Sequence, residues 1–279
     1  MIDGSRIDYS AFDRPEILRF LFHPRILRFL FHPRPEGSLS IPIKNAKDLD
    51  IPVEGGVFIG ARLHGSDKAA PVILFFHGNG EIVSDYNDLG PMYSGIGSNF
   101  LPVDYRGYGR STGTPTVTGM MRDCHAVFDY FRQWLNTHGY TGALIVMGRS
   151  LGSASALELA ENYPDEIGGL IIDSGFAYFT PLLKLLGVNI NAMEIREQEG
   201  LRNIDKIQNF YKPSRFIHAE YDHIIPFSDA QALFDACPAS DKKMLKIPGA
   251  DHNTIFYYGM NDYMGMVKEL VQTLTRVHP

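Results

Sequence analysis

Cysteine is scarce in this chain: Cys124 and Cys237 are the only two in 279 residues. They form no short-spaced pair, which excludes a disulfide framework or a thiolate metal knuckle. Free thiols in a reducing compartment follow, and a cytoplasmic location is expected. Positive charge is also in short supply. With 26 Lys and Arg against 32 Asp and Glu the net charge is −6, so nothing in the charge balance favours nucleic acid as a partner. No apolar run reaches the roughly 18 residues a membrane-spanning helix needs. The opening Met1-Ile2-Asp3-Gly4-Ser5-Arg6 lacks the basic and apolar blocks of a secretory signal. No His-x-x-x-His pair or Cys/His cluster is present, so neither a metal nor another cofactor is expected. What remains is ordinary globular composition, 44% hydrophobic and 21% charged, in a length suited to one large α/β domain.

The stretch Ala143 to Leu157 carries the strongest signal. An apolar run ends in Gly148-Arg149-Ser150-Leu151-Gly152 and passes directly into small, helix-favouring residues. That pattern predicts strand, tight turn and helix, with Ser150 at the apex, its backbone strained and its hydroxyl lifted above the sheet. Side chains at Gly148 and Gly152 would collide as strand and helix fold back on each other. The same five-residue pattern recurs at Gly109-Arg110-Ser111-Thr112-Gly113, but there Thr114-Pro115 follows and no strand leads in. Ser111 therefore reads as a loop serine and Ser150 as the candidate nucleophile.

Residues 17–25 and 26–34 repeat one nonapeptide, Ile-Leu-Arg-Phe-Leu-Phe-His-Pro-Arg. Within an N-terminal segment 1–39 this reads as a local duplication that lengthens the chain. A basic, aromatic patch for peripheral membrane or partner contact through residues 17–34 is the sharper reading, but Pro24 and Pro33 would break a long amphipathic helix. The domain proper is expected over 40–279. It opens with strands at Ile41-Pro42-Ile43 and Gly56 to His64, then Val72 to Phe76, an unbroken apolar run suited to a strand buried on both faces. The Gly-rich turn His77-Gly78-Asn79-Gly80 follows, where backbone N–H groups around Asn79, with that of Leu151, can receive an oxyanion. A strand over Asn99 to Val103 precedes Asp104 and Arg106, read as an ion pair bracing a loop. The helix from about Thr118 to Thr137 presents Met121, Cys124, Val127, Phe128, Phe131 and Leu135 as a core stripe; His125 and His138, on or near it, carry no partner motif.

After a strand at Gly169 to Asp173, residues 174–212 contain no strand pattern. Tyr178, Phe179 and Leu182 in this insertion are candidate substrate-binding residues, in a lid or acyl-binding wall; a helix merely packed on the sheet is the alternative. Asp222 falls just past the next strand and His252 just past the last. Glu220 and Asp251 compete with Asp222 for the acid role, although Asp251 adjoins His252 and neighbouring residues of an extended loop point apart. In a parallel sheet the C-terminal strand ends share one edge, so Ser150, Asp222 and His252 can meet there. The chemistry requires all of them: an imidazole to take the serine proton and a carboxylate to fix the imidazole's tautomer.

Together, His77-Gly78-Asn79-Gly80, Asp104-Tyr105-Arg106-Gly107-Tyr108-Gly109 and Gly148-Arg149-Ser150-Leu151-Gly152 resemble the α/β-hydrolase superfamily, more narrowly its "α/β-hydrolase domain-containing" group. The resemblance runs from about residue 40 to the C-terminus. It implies an α/β-hydrolase fold, a mostly parallel central sheet flanked by helices with a small lid-like insertion. It also implies a serine hydrolase acting on a small ester or thioester, with Ser150, Asp222 and His252 catalytic and Asn79 and Leu151 as oxyanion donors. A serine peptidase of the same fold, or a non-catalytic scaffold that binds a ligand or protein, are the alternatives.

Overall fold

The computed structural model describes residues 9–15, 31–37, 43–185, 187–192, 194 and 196–277. The first nonapeptide copy, most of the second, and Ile41-Pro42 lie outside the described residues. Eight strands form one sheet: β1 (Ala46–Pro52), β2 (Phe58–His64), β3 (Val72–Phe76), β4 (Asn99–Val103), β5 (Leu144–Arg149), β6 (Gly169–Asp173), β7 (Ser214–Ala219) and β8 (Lys242–Ile247). Their order is β1-β2-β4-β3-β5-β6-β7-β8. β2 runs antiparallel to both β1 and β4, and every pair from β4 to β8 is parallel. A mostly parallel central sheet flanked by helices is the architecture expected.

Alternation along the central strands divides the core into two layers. Leu74, Phe76, Val146, Leu170, Ile172 and Phe216 face one side. There they meet Phe128 and Phe131 of the helix Val117–Thr137, here α2, and Leu157 of the helix Gly152–Asn162, α3. Ile73, Phe75, Ile145, Met147, Ile171 and Ile217 face the other, against Tyr93 of α1 (Gly90–Gly95) and Tyr263, Val267 and Leu270 of the helix Ile255–Val277. The α2 stripe is core as its periodicity predicts, and Thr116 caps the helix by accepting from the Gly119 N–H at 2.9 Å.

β1 is a strand that the sequence pattern did not announce. Only Leu49 and Ile51 are apolar and buried there, while Lys47, Asp48 and Asp50 are exposed. A border strand needs one buried face, and two apolar residues at alternate positions supply it. At the other border Lys243 and Lys246 of β8 pair with Glu269 and Glu220.

His125 does have partners. Its Nε2 lies 3.0 Å from Glu158 of α3, whose other oxygen accepts from the Tyr9 hydroxyl at 2.6 Å and pairs with Lys206 at 2.8 Å. Burial alone would push Glu158 up, but the His125 hydrogen bond and the Lys206 ammonium outweigh it, bringing the carboxyl from the ordinary 4.5 to about 2. A folded-state value below the unfolded one adds stability above pH 4.5 that is lost as the pH falls toward 2, about 3 kcal/mol in all. Glu158→Gln is therefore expected to lower stability at pH 7 by that order. Urea midpoints of variant and parent should converge as the pH falls to about 2. A constant gap across this range would mean that the carboxylate's charge is irrelevant.

Candidate active site

β5 delivers the chain to a turn so tight that Ser150, a non-glycine residue, takes a φ of 51°, a left-handed conformation costing on the order of 1 kcal/mol. Its N–H is held by the Asp173 carbonyl at 2.9 Å. The flanking glycines are sterically required. A Cβ on Gly152 would overlap the Phe76 carbonyl oxygen and lie 2.8 Å from that of His77, and one on Gly148 would lie 2.8 Å from the Ala156 methyl. The same close approach brings the turn after β3, which carries Asn79, beside the serine turn, because Phe76 pairs with Gly148 in the sheet.

Two further loops converge here. His252, from the loop after β8, places Nε2 3.0 Å from Ser150 Oγ and Nδ1 2.6 Å from Asp222 Oδ2. An ionised carboxylate only accepts, so Nδ1 carries the proton and Nε2 offers its lone pair to the serine hydroxyl. The other Asp222 oxygen accepts the N–H groups of Ile224 at 2.9 Å and Ile225 at 2.8 Å. Burial raises this carboxyl, yet the hydrogen bond and charge of His252, with the Ile225 N–H, more than offset it and hold it below the usual aspartate range. The competing acids are engaged elsewhere. Glu220 accepts from the Gly249 N–H at 3.0 Å and faces Lys246. Asp251 caps its own turn through Asn253 N–H and the Thr254 hydroxyl, at 2.9 and 2.8 Å.

Leu151 directly follows the serine and precedes the first residue of α3, where backbone N–H groups have no partner within the helix. Asn79 uses its side-chain oxygen to accept from the Tyr108 hydroxyl at 2.9 Å and from the His32 N–H at 2.6 Å. Asp104 and Arg106 do not form the expected pair. Arg106 makes a bidentate bridge to Asp123 at 2.6 and 2.7 Å, while Asp104 accepts the Val83 N–H at 2.9 Å and faces His77. An extended backbone sends residues i and i+2 the same way, but the chain turns after Asp104 and separates them. Ser111 is in a loop, its hydroxyl accepting the Gly60 N–H at 2.9 Å.

The insertion between β6 and β7 carries the helix Phe179–Leu185, α4. Tyr178, Leu182 and Leu185, with Phe176, Ile224 and Ile225, line a cavity of about 420 Å³ whose wall reaches Asp222. Ser150 and His252 are not part of that wall, so the cavity meets the hydrogen-bonded line of the three residues at its Asp222 end. Phe179 does not line it: its ring is buried in the core, one residue on from Tyr178.

The described end of the second nonapeptide copy is more than added length. Arg34 donates to the Gly80 carbonyl at 2.6 Å and pairs with Asp85, and its own carbonyl accepts the Gly109 N–H at 2.9 Å. Phe31 is buried beside them. Phe31-His32-Pro33-Arg34 thus covers the outside of the turn that carries Asn79. Among the described residues no group of three or more His, Cys, Asp or Glu side chains could hold a metal ion, and no helix is long and apolar enough to cross a membrane.

The model of a family described as serine aminopeptidase, S33, matches residues 67–193. Alpha/beta hydrolase domain-containing protein 17B of Homo sapiens is 30% identical over 217 residues, which is 74% of this chain and 68% of that protein. The chain belongs to the α/β-hydrolase superfamily. Solved structures superpose on it at lower identity. An esterase of Pyrococcus furiosus, Pf2001, has a TM-score of 0.70 at 16% identity, covering 87% of this chain and 99% of the esterase. Est1E of Butyrivibrio proteoclasticus, solved with ferulic acid bound, has a TM-score of 0.64 at 21% identity, covering 81% and 96%. Both are likenesses of fold. Sequence reasoning missed two parts of this α/β-hydrolase site: the cover from Phe31 to Arg34, and a buried charge cluster centred on Arg149. The only available signal for the cluster was an arginine at the end of an otherwise apolar strand.

Proposed function

We propose that this α/β-hydrolase cleaves carboxylic esters or thioesters through an acyl-enzyme on Ser150. The observation that carries the reading is the hydrogen-bonded line Asp222–His252–Ser150, ending on a serine held in a strained turn. As Ser150 Oγ attacks the acyl carbon, His252 Nε2 takes its proton, and Asp222 stabilises the imidazolium and keeps its orientation. The main-chain N–H groups of Leu151 and Asn79 receive the oxyanion, each worth about 3 kcal/mol when well placed. The imidazolium then protonates the departing alcohol or thiol, and a water activated by His252 hydrolyses the acyl-enzyme. The apolar cavity under Tyr178, Leu182 and Leu185 accommodates an apolar part of the substrate, which favours longer acyl groups over acetyl.

A panel of p-nitrophenyl esters and matching thioesters of increasing acyl length tests this. Octanoyl substrates are expected to exceed acetyl ones in kcat/KM by at least about 10-fold, since each buried CH₂ is worth about 0.8 kcal/mol before offsetting costs. Equal rates would remove the cavity from the substrate path. Asp222→Asn, which would favour the wrong imidazole tautomer, is expected to lower kcat by about 10³ to 10⁴, with Asp251→Asn within about twofold. Turnover of aminoacyl p-nitroanilides with none of the esters would replace the esterase reading with a peptidase one. Failure of a fluorophosphonate to label the protein would favour a binding scaffold.

A further inference from the structure

Arg149 immediately precedes Ser150, and its guanidinium is buried beneath the site. Nη1 lies 2.5 Å from Glu81 Oε1, Nη2 donates to the His252 carbonyl at 2.8 Å, and Nε faces Asp173 Oδ2 at 3.6 Å. The second Glu81 oxygen accepts the Gly78 N–H at 2.7 Å and the Tyr86 hydroxyl at 2.5 Å. Asp173 is held by the Ser174 and Tyr263 hydroxyls at 2.8 and 3.0 Å, and its carbonyl accepts the Ser150 N–H. The space is filled: a Cβ on Gly78 would lie 2.9 Å from Arg149 Nη1 and 3.0 Å from Glu81 Oε2. One side chain thus touches the turn bearing Asn79, the loop bearing His252 and, through its own backbone, the serine.

We infer that Arg149 is a positioning residue that sets the distance between His252, Ser150 and the Asn79 turn, with Glu81 as its partner. The inference rests on the hydrolase reading of that site. A buried ion pair is a poor way to gain stability, because apolar replacements of both partners are often neutral or better. What the guanidinium offers here, and an apolar side chain cannot, is several directed donors in one plane, aimed at two different loops. Asp173 is not left without partners when the arginine goes, because the Ser174 and Tyr263 hydroxyls still donate to it at 2.8 and 3.0 Å.

The decisive variants are Arg149→Lys, which keeps the charge but loses the fork, and the double variant Arg149→Met with Glu81→Gln, which removes both charges together. In each, kcat per fluorophosphonate-titrated site is expected to fall about 100-fold, as for a misplacement near 1 Å. KM should stay within about threefold and Tm within a few degrees. A second readout needs no turnover: the downfield NMR resonance of the His252 Nδ1 proton should shift or broaden in both variants. Activity lost only in proportion to the titrated sites, with kcat per site unchanged, would reduce Arg149 to a structural role and overturn the inference. An unshifted His252 proton in a folded variant would do the same. Should the parent protein itself neither label nor turn over, the hydrolase reading fails, and the NMR comparison still decides whether Arg149 orients His252. If the double variant does not fold, Arg149→Lys alone carries the test.

Discussion

Replacing Ser150 with alanine is expected to abolish fluorophosphonate labelling and lower ester turnover by at least about 10⁴-fold, leaving only what the oxyanion donors and binding supply. The oxygen that faces His252 Nε2 at 3.0 Å is removed, and among the described residues no other serine hydroxyl is bonded to that nitrogen. The fold should persist. Alanine occupies the same left-handed backbone at a cost close to that of serine, and the Ser150 N–H bond to Asp173 is made by the main chain. Tm within about 2 °C of the parent would therefore accompany the loss. Ser111→Ala, in the matching pentapeptide, should leave kcat unchanged, since its hydroxyl serves only the Gly60 N–H among the described contacts. Labelling that survives in the Ser150 variant and vanishes in the Ser111 variant would move the nucleophile.

The largest expected loss of stability belongs to Gly152→Val. The obstruction is main chain, the carbonyls of Phe76 and His77, and neither can rotate aside as a side chain could. α3 would have to lift from β3 and β5, exposing a row that is buried from Gly152 to Ala160. Overpacking at such a position costs about 3 kcal/mol or more, which lowers Tm by roughly 10 °C in a domain of this size. Gly265→Ala supplies the contrast. It lies in the helix Ile255–Val277, with nothing within 4 Å of the added methyl, so a gain of about 0.5 kcal/mol is expected. Thermal melts of the two variants moving in the same direction would show that the glycines act through the unfolded chain rather than through this contact.

Ser150, Asp222 and His252 were legible in the sequence for one reason. Each follows an apolar run, and in a parallel sheet the ends of such runs share an edge whatever lies between them. β1 was not legible, because a border strand needs only Leu49 and Ile51 to bury one face and its charged letters conceal them. The split within the insertion was available but unread. Tyr178, Leu182 and Leu185 recur at helical spacing and face the cavity, while Phe179 and Leu183, one position on, face the core. The Arg149–Glu81 contact spans 68 residues of sequence. No local period encodes it, and only the folded sheet brings the two side chains together.

The charges that hid β1 have a use of their own. Among the described residues, both border strands of the sheet carry ionised side chains, exposed Lys47, Asp48 and Asp50 along one, Lys243 and Lys246 along the other. A strand from a second molecule could extend the ladder only by pressing its backbone against those groups and stripping their water. Each border therefore discourages templated stacking of one molecule on the next, and the hydrogen-bonding capacity left over at the edges stays committed to solvent.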